Sequence, residues 1–132
     1  SIQGKIVSDQ IIEAAKLADL AKAPVAAAWT TTHTLPADNA AAGLPAADRI
    51  VSNLVGSIAV EAGAIQLTFA NRASAAINGK TLSLRAAVVE DAPIVPVAWI
   101  CGNAPVPARM TVHGPNRTNI ADALLPLNCR SG

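Results

Sequence analysis

At 132 residues, the chain supports one domain, because two cores of about 66 residues each would be marginal. Its 52% hydrophobic and 14% charged residues exclude a disordered chain, which needs the opposite balance, and no apolar run reaches the ~18 residues of a membrane span. A formal net charge of +1 removes the footprint of a dedicated nucleic-acid binder, so nucleic acid is not expected as a specific partner.

From Ile2, apolar residues recur at helical spacing. Val7, Ile11, Ala14, Ala18 and Ala21 form one stripe, and Lys5–Asp9, Glu13–Lys16 and Asp19–Lys22 place opposite charges three or four apart on the outer face. The pattern predicts a helix over about 2–23. Pro24 ends or bends it, although Val25 to Trp29 could carry it past a kink. The first residues show no capping pattern.

Residues 30–52 read as a loop. Thr30, Thr31, Thr32 and Thr34 cluster before Pro36, so they are candidates for O-linked sugar, with solvated loop threonines as the plainer reading. A connector of this length is uncommon without a function.

The region 54–101 alternates with period two. Leu54 to Val60 is one strand; Ile65, Leu67 and Phe69 line a second. Leu82, Leu84, Ala86 and Val88 line a third after the Asn78-Gly79 turn, and Val95, Val97, Trp99 and Cys101 line a fourth. From the second strand onward the connections are too short for helical crossovers. The sheet is therefore antiparallel, with one face on the helix, and the fold class is α+β.

After Cys101 the periodicity is lost, and Pro105, Pro107, Pro115 and Pro126 leave room only for short strands and turns. Cys101 and Cys129 leave no cysteine unpaired. Two buried thiols are one reading. A disulfide is the other, and closing a loop of that length would stabilise the fold by roughly 3.6 kcal/mol and place the chain in an oxidising compartment. The 29 Ala and sparse charge also suit a secreted protein that associates with others.

Constellations for chemistry are missing from the sequence. There is no G-x-S-x-G elbow, no phosphate-binding glycine loop, no CxxC, and His33 and His113 stand at no ligand spacing. No enzymatic activity, cofactor or metal is expected. Asn116-Arg117-Thr118 matches a glycosylation sequon, a short pattern that chance also produces. Arg109, His113 and Arg117 make the C-terminal loop mildly basic, so they are the polar candidates for surface or receptor binding.

Three local stretches carry a family resemblance. Asn78-Gly79-Lys80-Thr81-Leu82-Ser83-Leu84, Val97-Ala98-Trp99-Ile100-Cys101 and Leu125-Pro126-Leu127-Asn128-Cys129-Arg130, in this order behind a helix and a long connector, resemble the globular part of a type IVa pilin. The overall pattern is similar to Pseudomonas-like major pilins. The resemblance implies the pilin fold over 1–132, with 30–52 as the αβ-loop and 101–129 as the disulfide-bonded D-region. It also implies an upstream apolar half-helix, here removed, that anchors the precursor in the inner membrane and carries N-terminal methylation.

Function follows from the same likeness. It implies polymerisation with other pilin subunits through the pilus assembly machinery into a fimbrium on the cell surface, used for adhesion to a host receptor and for twitching motility. A minor pilin or a type II secretion pseudopilin is the nearest alternative. A secreted carbohydrate- or protein-binding β domain is the alternative from another class.

Overall fold

A computed structural model describes residues 1–132. One long helix, α1 (Ile2–Thr32), lies across an antiparallel sheet of β1 (Val55–Glu61), β2 (Ala64–Phe69), β3 (Thr81–Val88) and β4 (Ala98–Cys101), in that spatial order. A fifth short strand, β5 (Thr111–Val112), also pairs with β3. The expected α+β arrangement of helix on four-stranded sheet is present, and so is the Cys101–Cys129 disulfide.

The helix runs nine residues further than the spacing around Pro24 predicts, to Thr32 rather than Ala23. Proline inside a helix costs about 3 kcal/mol through its missing N–H and its ring. The buried stripe outweighs that cost, because it continues unbroken through Val25 and Trp29 beyond the proline. Burying two such side chains contributes about 1.5–3 kcal/mol each. The connector therefore begins at His33, which stops the helix in a left-handed conformation (φ 57°). Thr30, Thr31 and Thr32 belong to the last helical turn, not to the loop. At the other end Ser1 caps the helix, its side chain accepting from the Gly4 N–H at 3.0 Å. That cap escapes the sequence pattern, since the usual Glu or Gln three residues on is absent.

The strands differ from expectation mainly at their ends. Val95 and Val97 lie outside β4, in a turn-rich β3–β4 loop. β5 lies beyond the predicted sheet region 54–101; it meets Ala87 and Val88 where β2 no longer accompanies β3, and the His113 N–H continues the ladder to the Ala86 carbonyl.

Ile65, Leu67 and Phe69 of β2, with Leu82 and Leu84 of β3, form the core against Val7, Ile11, Ala14 and Ala18 of the helix. The small stripe residues let the helix approach the sheet, so an Ala-rich sequence fills its interior with Phe69 and Trp29 as its only buried aromatic side chains.

β1 and β2 join through a two-residue hairpin, Ala62-Gly63, with positive φ at both positions (50° and 90°). Such turns favour Asn-Gly. A side chain at Gly63 would also strike Leu35 Cδ1 at 2.7 Å, whereas Ala62 faces solvent. Ala62→Asn should therefore raise stability by about 1 kcal/mol, because Asn accepts the left-handed region more readily than Ala. Urea unfolding of the variant checks this; an unchanged or lower midpoint would contradict it.

Candidate functional site: the disulfide-closed loop

Residues 101–129 hold only a two-residue strand and two short 3-10 helices, and the structure shows what holds the segment in place. The disulfide closes the segment at both ends, with 4.6 Å between the two Cα atoms. The Asn103 N–H donates to the Cys129 carbonyl beside it. Between these ends, Pro105 to Arg109 are all exposed.

The second half of the segment, from Pro115 to Asn119, is sewn onto the sheet. Gln66 and Ser83 sit on the face of β2 and β3 away from the helix, and both are buried. The Gln66 amide donates to the Pro115 carbonyl at 2.9 Å, and the Ser83 hydroxyl donates to Gln66 Oε1. The Arg117 N–H in turn donates to Ser83 Oγ at 2.7 Å, while the Ser83 N–H donates to Thr118 Oγ1. Asn119 exchanges bonds with Thr81 through its own N–H and its side-chain oxygen. The side chains of Gln66 and Ser83 thus have all their polar atoms partnered, as burial requires.

Gly114 makes the crossing over the hairpin. Its φ is +83°, and a Cβ there would lie 2.8 Å from the Ala64 nitrogen and 2.9 Å from the Glu61 carbonyl oxygen. Only glycine lets the backbone pass this close.

The three basic candidates have different surroundings. Arg117 makes a two-pronged bridge to Glu61, with both N···O distances 2.7 Å. His113 contacts Glu90 Oε1 at 2.5 Å and lies beside the Trp29 ring, the centroids 6.3 Å apart. Arg109 makes no ion pair; it is exposed and left-handed (φ 69°). The structure therefore commits two of the three basic side chains to carboxylates of the same chain and leaves Arg109 open to solvent.

The Arg117 hydrogen bonds hold the Glu61 carboxyl below its usual range, against a smaller opposing effect of desolvation. A lowered folded-state value means that the bridge stabilises at neutral pH, and that its contribution is lost as pH falls through the carboxylate range. Glu61→Gln should thus lower stability at neutral pH, and the gap to the parent should narrow steadily as pH falls below the usual carboxylate range toward the lowered folded-state value. Urea unfolding at neutral pH and at a series of acidic pH values measures the gap. An equal gap at every pH would assign the loss to packing.

Among the threonine candidates, Thr30 and Thr32 donate back to the Ala26 and Ala28 carbonyls, and Thr32 and Thr34 share a hydroxyl contact of 2.8 Å. Thr31 is exposed and its hydroxyl has no protein partner. At the sequon, Asn116 Oδ1 accepts from the Thr118 N–H, and its amide donates to Asn103. Elsewhere, no three His, Cys, Asp or Glu side chains gather where they could hold a metal ion. No helix is long and apolar enough to cross a membrane.

A helix on an antiparallel sheet, with a disulfide-closed loop fastened across the outer face, is an arrangement in which a rigid scaffold presents one irregular segment. The family model for pilins, bacterial filament proteins, matches residues 10–130. The chain belongs to the pilin family. No curated protein matches the chain closely enough to count as a relative. A pilin is a structural, filament-forming subunit, so its chemistry is association with further copies of itself in a surface filament.

The sequence reading of this pilin missed the anchors. Glu61, Gln66, Ser83 and Asn39 drew no notice, because each acts on a partner 17 to 56 positions away. One signal was present. Gln66 and Ser83 are polar residues within two strands whose alternate positions are apolar.

Proposed function

We propose that this pilin is the subunit of a type IV pilus of the Pseudomonas-like type IVa class, serving adhesion and twitching motility. The observation that carries the reading is the disulfide-closed loop on a helix-and-sheet scaffold, in a chain matched by the pilin family over 10–130. Subunits would be added by the pilus assembly machinery, and the loop would face the surroundings. A loop held at its ends and along one edge loses little entropy on contact, as a recognition surface needs.

Within that loop the adhesive role falls first on Arg109, the cation with no carboxylate partner, at the end of the exposed run Pro105–Arg109. His113 and Arg117 would contribute through their exposed edges while holding the loop in place. An O-linked sugar would be carried by Thr31, whose hydroxyl is free.

Deleting the gene and restoring it on a plasmid tests the reading. Loss and recovery of surface filaments and of twitching zones are the expected results. Filaments that persist without this chain would overturn the principal-subunit role. Arg109→Ala in assembled pili should reduce binding to host cells without changing filament number; unchanged binding would place the adhesive site elsewhere.

A further inference from the structure

Arg85 has no part in anything described above. Its backbone pairs with Ala64 of β2 and Ile100 of β4, and the alternation of β3 puts its side chain, like that of Ser83, on the face away from the helix. That face is covered here, since Ala64, Ala87 and Ile100 are all buried. The cover is the disulfide-closed loop. β4 and β5 both pair with Ala87 of β3, so they flank it on opposite sides, and the helix occupies the inner face. The chain from Gly102 to Met110 therefore crosses β3 over its outer face. Gly114 to Thr118 crosses back, past Ala64 and Ser83. The Asn116 amide ties the two crossings together by donating to Asn103 at 3.0 Å. Arg85 stands between Ser83, under the second crossing, and Ala87, which β5 joins.

The guanidinium has no partner in the chain. Its Nε is sealed from solvent without an acceptor, whereas the terminal Nη1 and Nη2 stay open. None of the four ion pairs includes Arg85, and Gly102 to Ala121 holds no Asp or Glu. A guanidinium keeps its charge at every physiological pH. Charged side chains are rarely withdrawn from water unless paired, because desolvation without an acceptor is costly.

We propose that Arg85 receives a carboxylate from outside the chain, carried by an acidic sugar of the uronic acid class. The open terminal nitrogens form a planar fork that matches the two oxygens of a carboxylate. The sealed stem holds that fork in place, so little side-chain freedom is lost on contact. One fork suits one carboxylate. A polyphosphate would call for a row of free cations, and Arg117 and His113 are already committed to Glu61 and Glu90. Asn103 and Asn116 on the crossings supply amides of the kind that sugar hydroxyls bond. The inference rests on the adhesion reading and names its ligand class.

Filaments sheared from cells making the full natural chain, applied to beads carrying glucuronate, give the test. They should be retained, and free glucuronate should release them where glucose at the same concentration does not. Arg85→Gln should lower retention by at least about tenfold, as loss of a charged hydrogen-bonded pair implies, with filament number unchanged. Arg85→Lys keeps the charge without the fork and should recover only part of the binding. If Arg85→Gln does not assemble, Arg85→Lys against the parent carries the comparison, and equal retention by the two would overturn the proposal. Arg72→Gln removes an exposed cation elsewhere and should change nothing; a loss equal to that of Arg85→Gln would mean general charge attraction and overturn the site. Equal retention on glucose beads would do the same. Filaments that ignore glucuronate, although the isolated subunit binds it in a calorimetric titration, would give Arg85 to a neighbouring subunit's carboxylate and overturn the proposal. Each of these failures leaves the adhesion reading standing. Parent filaments that adhere to no host cell would overturn that reading itself.

Discussion

Replacing either Cys101 or Cys129 by Ser should lower the unfolding free energy by about 2–5 kcal/mol. The chain-entropy account gives roughly 3.6 kcal/mol for a loop of sequence separation 28. Against the ~5–15 kcal/mol that keeps a typical domain folded, this is a large share. The damage should also be local. The polar anchors of Pro115 to Asn119 would remain, whereas Gly102 to Arg109 and the end of β4 would lose the tether that holds them to Cys129. Urea unfolding with and without reductant measures the first effect. Proteolysis within Pro105 to Arg109, faster in the variant, measures the second. An unchanged unfolding midpoint would show that the anchors alone hold the segment.

Asn39→Ala is expected to cost about 2–4 kcal/mol, although its side chain is small and lies in a connector. Its amide donates at 2.9 Å to both the Pro45 and Ile58 carbonyls, and its oxygen accepts from the Val60 N–H at 2.6 Å. Two of these partners are on the outer edge of β1. Asn39 thus does for that edge what another strand would do, and the Ala62 and Gly63 N–H groups extend the cover by donating to the Ala37 and Pro36 carbonyls. An open edge invites pairing with other chains. Removal of the amide would leave buried backbone groups without partners, each at about 1–3 kcal/mol if no water replaces it. The variant should therefore unfold at lower urea and aggregate more readily through β1. A midpoint within error of the parent, with no added aggregation, would show that water substitutes for the amide.

Much of the fold was legible because its causes are local. The helix stripe from Val7 to Ala21 and the alternation in β2 and β3 report which faces are apolar, and one buried face per element is enough to dictate helix on sheet. The two cysteines and the short turns narrowed the rest. The end of the helix was not legible. Pro24 is a local signal to stop, and it was overruled by Val25 and Trp29, whose burial depends on a sheet that starts 31 positions beyond Pro24. The Ser1 cap shows the same limit, since nothing three residues on announces it.

The site divides along the same line. That 101–129 is a closed, irregular loop with Arg109, His113 and Arg117 on it is a property of the sequence. Which of those side chains is free is a property of the tertiary structure alone. Glu61 and Glu90 lie 56 and 23 positions from their partners, and no periodicity links a hairpin carboxylate to a loop arginine. The burial of Gln66 and Ser83 belongs to the same class: polar strand positions read as solvent-facing until a distant segment covers them. Sequence alone determined the elements, the faces they bury and the loop that the cysteines close, because short-range patterning encodes hydrophobic burial. Only the tertiary structure decided which polar groups meet across the loop and the sheet edge, because hydrogen bonds and ion pairs depend on angles and distances that arise once the core has formed.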